Sequence, residues 1–325
     1  MIASALIHAL RQAGHDAELL TTPTNRFGRQ FAAYVATRFT DVELTGAGER
    51  VDRLISLRFP SYALKHPNHV CWLNHRMREY YDLWESWIGS LSWKGRLKEK
   101  TRRALIHKAD HHFLTRNLRK LFAQSKNIQQ GLLRWGNIPS EVLYPPPPQR
   151  NYQTVRYGDF ILSPSRLTPL KRVALLIEAM VRTRAGRAIV LGDGPDRERL
   201  ESLINQHSLK DRVQLRGHVN ESEIVKLYAE CRAVFYAPYQ EDFGLVTVEA
   251  FQCKKPILTA VDSGGPVELV QNNISGFVCE PEPQSIASSI EQLFDASGLA
   301  EKMGAAGYES CKEITWSKTI EKLLS

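Results

Sequence analysis

From about residue 159 to residue 270, short β-rich runs alternate with helical patterns so regularly that few architectures can accommodate them. FILSPS precedes KRVALLIEAMVR, AIVLGDG precedes PDRERLESLINQH, VQLRGHV precedes ESEIVKLYAEC, AVFYAP precedes VTVEAFQC, and PILTAV precedes GPVELV. Strand and helix in strict alternation require right-handed crossovers and hence a parallel, doubly wound α/β sheet. Such sheets bind ligands outside the carboxyl ends of their strands. The chemistry is therefore to be sought in the segments that follow each strand.

The first 150 residues are less orderly. An amphipathic helix over residues 2–13 ends at Gly14, and AELLTT, RLISLRF, HVCWLN and HHFLT read as strands, with a long basic helical stretch between the last two. YPPPPQRNYQ forbids helix and favours an extended linker. Three regions follow: residues 1–150, a first α/β domain; residues 151–312, a doubly wound domain; and residues 313–325, a terminal helix. A domain of this kind ordinarily opens with a strand and a glycine-rich turn, whereas this chain opens in a helix, so the expectation is a first domain lacking its N-terminal strand.

No run approaches the roughly 18 apolar residues of a membrane span, and the opening residues lack the basic start of a signal peptide. Five dispersed cysteines form no C-x-x-C pair, and no histidine stands at metal-ligand spacing. This fits a reducing cytoplasm. Charge is unevenly placed: residues 1–150 hold 23 Lys+Arg against 12 Asp+Glu, and the remainder 20 against 23. Lys94, Arg96, Lys98, Lys100, Arg102, Arg103 and Lys108 form a basic run that suits anionic lipid, an acidic glycan or plain solvation.

EDFGLVTVEA carries the most chemical information. Phe243, Gly244 and Leu245 make a flexible turn whose N–H groups can converge on an anion at the start of a helix, where the dipole favours negative charge. A diphosphate would sit there. Glu249 can accept two hydrogen bonds from a ribose diol and Glu241 can accept from sugar hydroxyls; alone, each reads equally as a loop or capping glutamate. Arg166 and Lys171, just past the first strand of this half, can neutralise a departing diphosphate without metal. Gly192 and Gly194 either make a turn or let the backbone approach a nucleotide, Gly217 is a weaker candidate beside a base, and DSGGPVELV offers another N–H-rich helix start. His75, ending HVCWLNH, either faces a cleft and contacts substrate or is a partly buried polar residue. No two aspartates are separated by one residue and no G-x-S-x-G appears, which argues against a D-x-D metal site and a hydrolase elbow.

With Glu241 and Glu249 separated by seven residues, and with SPSRLTPLK, LGDGP, RGHV, YAPYQE and GGPVELVQNNISGFV in order, residues 155–325 resemble glycosyltransferase family 4. The resemblance implies a GT-B fold, two Rossmann-like domains facing a cleft, and an NDP-sugar donor used with net retention and without metal. It also implies Arg166 and Lys171 on the diphosphate, Glu249 on the ribose, and Glu241 with the Phe243, Gly244 and Leu245 amides on sugar and phosphate. In residues 1–150 the resemblance is looser and implies an acceptor-side Rossmann-like domain, with His75 where the family often puts its active-site histidine, while ITWSKTIEKLL in residues 313–325 resembles the terminal helix that packs back towards the first domain. The reading is sugar transfer to a glycan or glycolipid acceptor, without nucleic acid, by a cytoplasmic protein able to lie against the inner membrane face through its basic half. A non-catalytic nucleotide-sugar-binding protein is the rival.

Overall fold

The computed structural model describes residues 2–22 and 29–325. The chain divides into two compact units, Met1–Pro145 with Trp316–Ser325, and Pro146–Thr315.

In chain order the first unit contains α1 (Ile2–Gln12), α2 (Gln30–Arg38), β1 (Leu54–Arg58), β2 (His69–His75), α3 (Trp84–Gly89), α4 (Trp93–Arg116), β3 (Lys120–Ala123), α5 (Lys126–Arg134) and β4 (Glu141–Val142). The second contains β5 (Phe160–Pro164), α6 (Val173–Arg182), β6 (Arg187–Leu191), α7 (Arg197–Gln206), β7 (Val213–Gly217), α8 (Glu221–Glu230), β8 (Ala233–Phe235), α9 (Leu245–Gln252), β9 (Ile257–Ala260), α10 (Gly265–Leu269), β10 (Gly276–Cys279), α11 (Pro283–Asp295) and α12 (Leu299–Cys311). The last helix, α13 (Trp316–Leu324), returns to the first unit.

The first unit is a parallel sheet in the order β1-β2-β3-β4. Successive residues of β2 point to opposite faces. Val70 and Trp72 join Leu6 and Leu10 of α1 and Ile320 and Leu323 of α13, while Cys71 and Leu73 join Tyr34, Tyr62, Ile106 and Leu132. Two strand expectations fail here. AELLTT carries no regular structure, and Leu19 and Leu20 stand half exposed. HHFLT lies inside α4, whose buried Ile106, Asp110 and Leu114 recur every four residues and whose Ser92 cap accepts from the Gly95 amide. The strand falls instead at Lys120–Ala123, too short for a sequence pattern to reveal.

The face around α4 is tied by a buried polar hub. Asp110 is fully buried and accepts hydrogen bonds from Tyr62 Oη (2.5 Å), Tyr81 Oη (2.6 Å) and Tyr34 Oη. Arg76 lies 3.7 Å from the centre of the Tyr81 ring.

In the second unit the sheet order is β10-β9-β8-β5-β6-β7, all parallel. This is the order of a Rossmann sheet, and its direction of winding reverses between β5 and β8. A crevice for ligand opens at such a reversal, above the carboxyl ends of those two strands. The core is mostly aliphatic, with Ile161, Leu176, Met180, Val190, Leu258, Ile286 and Ile290 packed beside Phe235 and Phe277. All five cysteines are free and buried.

Helix α12 packs closely on the turn after α9: a Cβ on Gly304 would stand 1.7 Å from the Lys254 carbonyl oxygen. Backbone must then move, and overpacking of this kind costs about 1–3 kcal/mol. Gly304→Ala is expected to lower the urea midpoint followed by circular dichroism, with the slope unchanged. Tryptophan fluorescence should miss the change, because all six tryptophans belong to the first unit. An unaltered midpoint would contradict the tight packing.

Candidate functional site

The second unit gathers its charged groups at the carboxyl ends of β5, β8 and β9. After β5 the chain runs through an exposed Arg166, then a single 3-10 turn, Pro169–Lys171. Lys171 Nζ donates to Glu241 Oε2 at 2.6 Å and to Tyr236 Oη at 3.0 Å, so residues flanking the winding reversal meet directly. Beside it, Arg172 takes a left-handed backbone (φ 49°) and turns its guanidinium onto both Asp262 oxygens, at 2.9 and 2.7 Å, and onto the carbonyls of Ala237 and Pro238. One side chain thereby fastens together the loops after β5, β8 and β9.

Glu241 is held by its backbone. Its N–H donates to Ser263 O at 2.9 Å and its carbonyl accepts from Gly265 at 2.8 Å. The following turn leads through Phe243 to Gly244, the residue before α9, with φ 85°. Only glycine fits: a Cβ would stand 2.8 Å from Tyr236 Cε1 and 2.9 Å from Pro266 Cγ. The first amide of this helix start with a carbonyl partner is that of Thr247, on Gly244 O at 3.0 Å. The Gly244 and Leu245 amides therefore open the helix without a hydrogen-bond partner among the described residues. Arg166 likewise has no ion pair there, and stands exposed.

Glu249 is in a different setting. It is 5% exposed, and its carboxylate accepts from Tyr228 Oη at 3.0 Å, from Tyr152 Oη at 3.4 Å and from the Arg150 guanidinium. Arg150 also grips Glu221, at 2.5 and 3.1 Å. Burial pushes the Glu249 carboxyl above its usual range, against the opposing pull of Arg150 and the two phenols.

The glycine candidates divide. A Cβ on Gly192 would stand 2.2 Å from Ser165 O, and one on Gly194 2.2 Å from Leu167 O. Both glycines admit the loop carrying Arg166, whose Leu167 amide donates to Asp193 O at 3.0 Å. Gly217 accepts from the Gly192 amide at 2.7 Å. His75 ends β2 in the first unit, and its Nδ1 lies 2.9 Å from the Arg76 carbonyl. A carbonyl only accepts, so Nδ1 carries the proton and Nε2 is left as an acceptor; burial lowers the pKa and favours this neutral ring.

The geometry thus joins Lys171 with Glu241, sets Gly244 and Leu245 at the opening of α9, and keeps Glu249 apart with three partners, Arg150, Tyr152 and Tyr228. Sequence reasoning missed Arg150, Arg172, Tyr152, Tyr228 and Tyr236. An arginine two residues past the run of four prolines was the one local hint.

A Rossmann-ordered sheet, with a separate parallel α/β unit before it, defines the GT-B class. The sequence profile of the family described as glycosyl transferases group 1 matches residues 153–310, nearly the whole second unit, and that unit belongs to this family. Over 172 residues it is 33% identical to the alpha-1,3/1,6-mannosyltransferase ALG2 of Homo sapiens, covering 47% of this chain and 41% of the human one. Less than two thirds of that relative is therefore spanned. Sucrose-phosphate synthase from Thermosynechococcus elongatus shares the fold with a TM-score of 0.73 at 18% identity, over 99% of this chain and 90% of its own. HepE of Anabaena, solved with UDP and glucose, gives 0.69 at 19%, over 98% and 87%.

Proposed function

We propose that this chain is a retaining glycosyltransferase that moves a sugar from an NDP-sugar to an acceptor hydroxyl in cell-surface polysaccharide or glycolipid assembly. One observation carries the reading: Lys171, Glu241 and the open amides before α9 converge at the winding reversal of the sheet. The mannosyltransferase activity in the name of the human relative and the UDP bound by HepE support it. The diphosphate lies at the start of α9 against the Gly244 and Leu245 amides, with Lys171 and Arg166 as counter-charges in place of a metal ion. Glu249 accepts from the ribose, Glu241 from the sugar, and His75 is the candidate from the first unit for contacting substrate. The acceptor oxygen bonds to the anomeric carbon on the face that the diphosphate leaves, and its proton passes to a donor phosphate oxygen.

A thermal-shift panel of UDP, GDP, ADP and their sugars tests binding; a ligand at a hundredfold its dissociation constant adds about 2.7 kcal/mol. Transfer, followed by product formation, is expected to persist in excess EDTA; loss restored by manganese would remove the role given to Lys171 and Arg166. Binding without transfer would favour the binding-protein rival. Glu249→Ala is expected to weaken free nucleotide by about 10- to 100-fold, the value of hydrogen bonds to a charged group. Glu241→Ala should move it by only about twofold while lowering turnover. Equal losses of nucleotide affinity would sink this division of roles.

We further assign the first unit to peripheral contact with the cytoplasmic membrane face. Among the described residues no helix is long and apolar enough to cross a membrane. Trp93 and Leu97 are nevertheless 72% and 64% exposed among Lys94, Arg96, Lys98 and Lys100 on α4. Apolar tips among cations suit an anionic interface. Cosedimentation with phosphatidylglycerol vesicles, and none with phosphatidylcholine, is expected and should fall in Trp93→Ala/Leu97→Ala. Equal recovery with both lipids would count against it.

A further inference from the structure

The Glu249 carboxylate presents an unusual balance of partners for a group meant to receive a ribose. It is buried, yet its Oε1 already takes the Arg150 guanidinium and the Tyr152 hydroxyl, while Oε2, among the described residues, takes only Tyr228. Each carboxylate oxygen accepts about two strong hydrogen bonds, so Oε2 retains capacity and Oε1 does not. Arg150 reaches this place from the stretch directly after the prolines. It is anchored a second time by Glu221, whose side chain is 75% exposed. A buried carboxylate without a counter-charge sheds its charge by taking a proton. Arg150 supplies that counter-charge, as the cation bonded to this carboxylate among the described residues.

We infer that Arg150 is a positioning residue for the nucleotide: bridging Glu249 and Glu221, it keeps the buried carboxylate ionised and leaves Oε2 to accept from the ribose diol. The inference rests on the assignment of Glu249 to the ribose. Arg150 and Tyr152 approach from the linker side, Glu221 and Tyr228 from α8, Tyr236 from the end of β8 and Cys253 from the end of α9. Burial raises the phenols of Tyr152, Tyr228 and Tyr236 above their ordinary value and pushes the Cys253 thiol up to about 12, so none of them titrates near neutrality. Glu221 stands at the surface, where its side chain is 75% exposed.

The test measures dissociation constants of UDP and GDP on the full chain between pH 5.5 and 8.5, then follows the tighter of the two beside its 2′,3′-dideoxy form. Wild type is expected to prefer the ribose form by about tenfold or more. In Arg150→Gln the loss of affinity should grow as pH falls and be about tenfold larger at pH 6 than at pH 8.5, since protonation of Glu249 removes the charged acceptor. The dideoxy nucleotide should respond to neither the substitution nor pH in this way. Arg150→Lys should fall between wild type and Arg150→Gln, because one ammonium cannot bridge two carboxylates as a guanidinium does. It carries the test should Arg150→Gln not fold. Profiles of both variants that superimpose on wild type, with the dideoxy form still weaker, would overturn the role of Arg150 alone. Equal wild-type affinity for ribose and dideoxy forms would overturn the ribose assignment, and this inference with it.

Discussion

Lys171→Ala is expected to lower kcat by about 10²- to 10³-fold, the usual effect of removing one group that stabilises developing charge. The position of the side chain is the reason. Lys171 stands after β5 and reaches Glu241 after β8 at 2.6 Å, across the reversal of the sheet, while its stem is only part exposed. In the proposed reaction negative charge accumulates on the departing diphosphate, so the cation gains more in the transition state than in the bound donor. Affinity for free nucleoside diphosphate should therefore fall by much less than kcat. Steady-state kinetics beside calorimetric binding separates the two. Equal losses would mean that Lys171 contributes ground-state binding alone.

The second large effect concerns stability. Asp110→Ala removes the acceptor of three buried tyrosine hydroxyls at once. Each buried donor left without a partner costs about 1–3 kcal/mol, so a total near 4 kcal/mol or more is expected, enough to unfold the first unit selectively. Tryptophan fluorescence reads this unit by itself. Asp110→Asn keeps the shape and one acceptor oxygen and should cost less. It should also change the pH dependence. Burial raises the Asp110 carboxyl above its ordinary value, outweighing the three hydroxyl donors and Arg76. The folded unit thus binds more protons than the unfolded chain between the ordinary aspartate value and the raised one. The contribution of this group is full below the ordinary value and is lost as pH rises through the folded one. The advantage of wild type over Asp110→Asn should shrink with rising pH across that window. A constant gap, or an alanine variant within about 1 kcal/mol of wild type, would show the hub to be dispensable.

Much of this was legible in the chain because it depends on consecutive residues. Alternating runs such as FILSPS and AIVLGDG became β5 and β6, and GPVELV began α10. The turn at Gly244 could be placed because glycine before a helical run is a local signal, as the structure bears out with φ 85° and a packed Tyr236 ring. Local patterns also misled. HHFLT has the composition of a strand, yet its place in α4 is set by a buried face that includes an aspartate, which a search for apolar periodicity passes over.

What the sequence by itself determined is the alternation of strand and helix, and with it a parallel sheet whose strand ends carry the chemistry, since both follow from periodicity and crossover handedness. Tertiary structure decided who meets whom. Lys171 finds Glu241 across 70 residues and Arg150 finds Glu249 across 99. No local pattern encodes such pairings, because they exist only once β5 and β8 lie side by side and the reversal of winding brings their loops to one end.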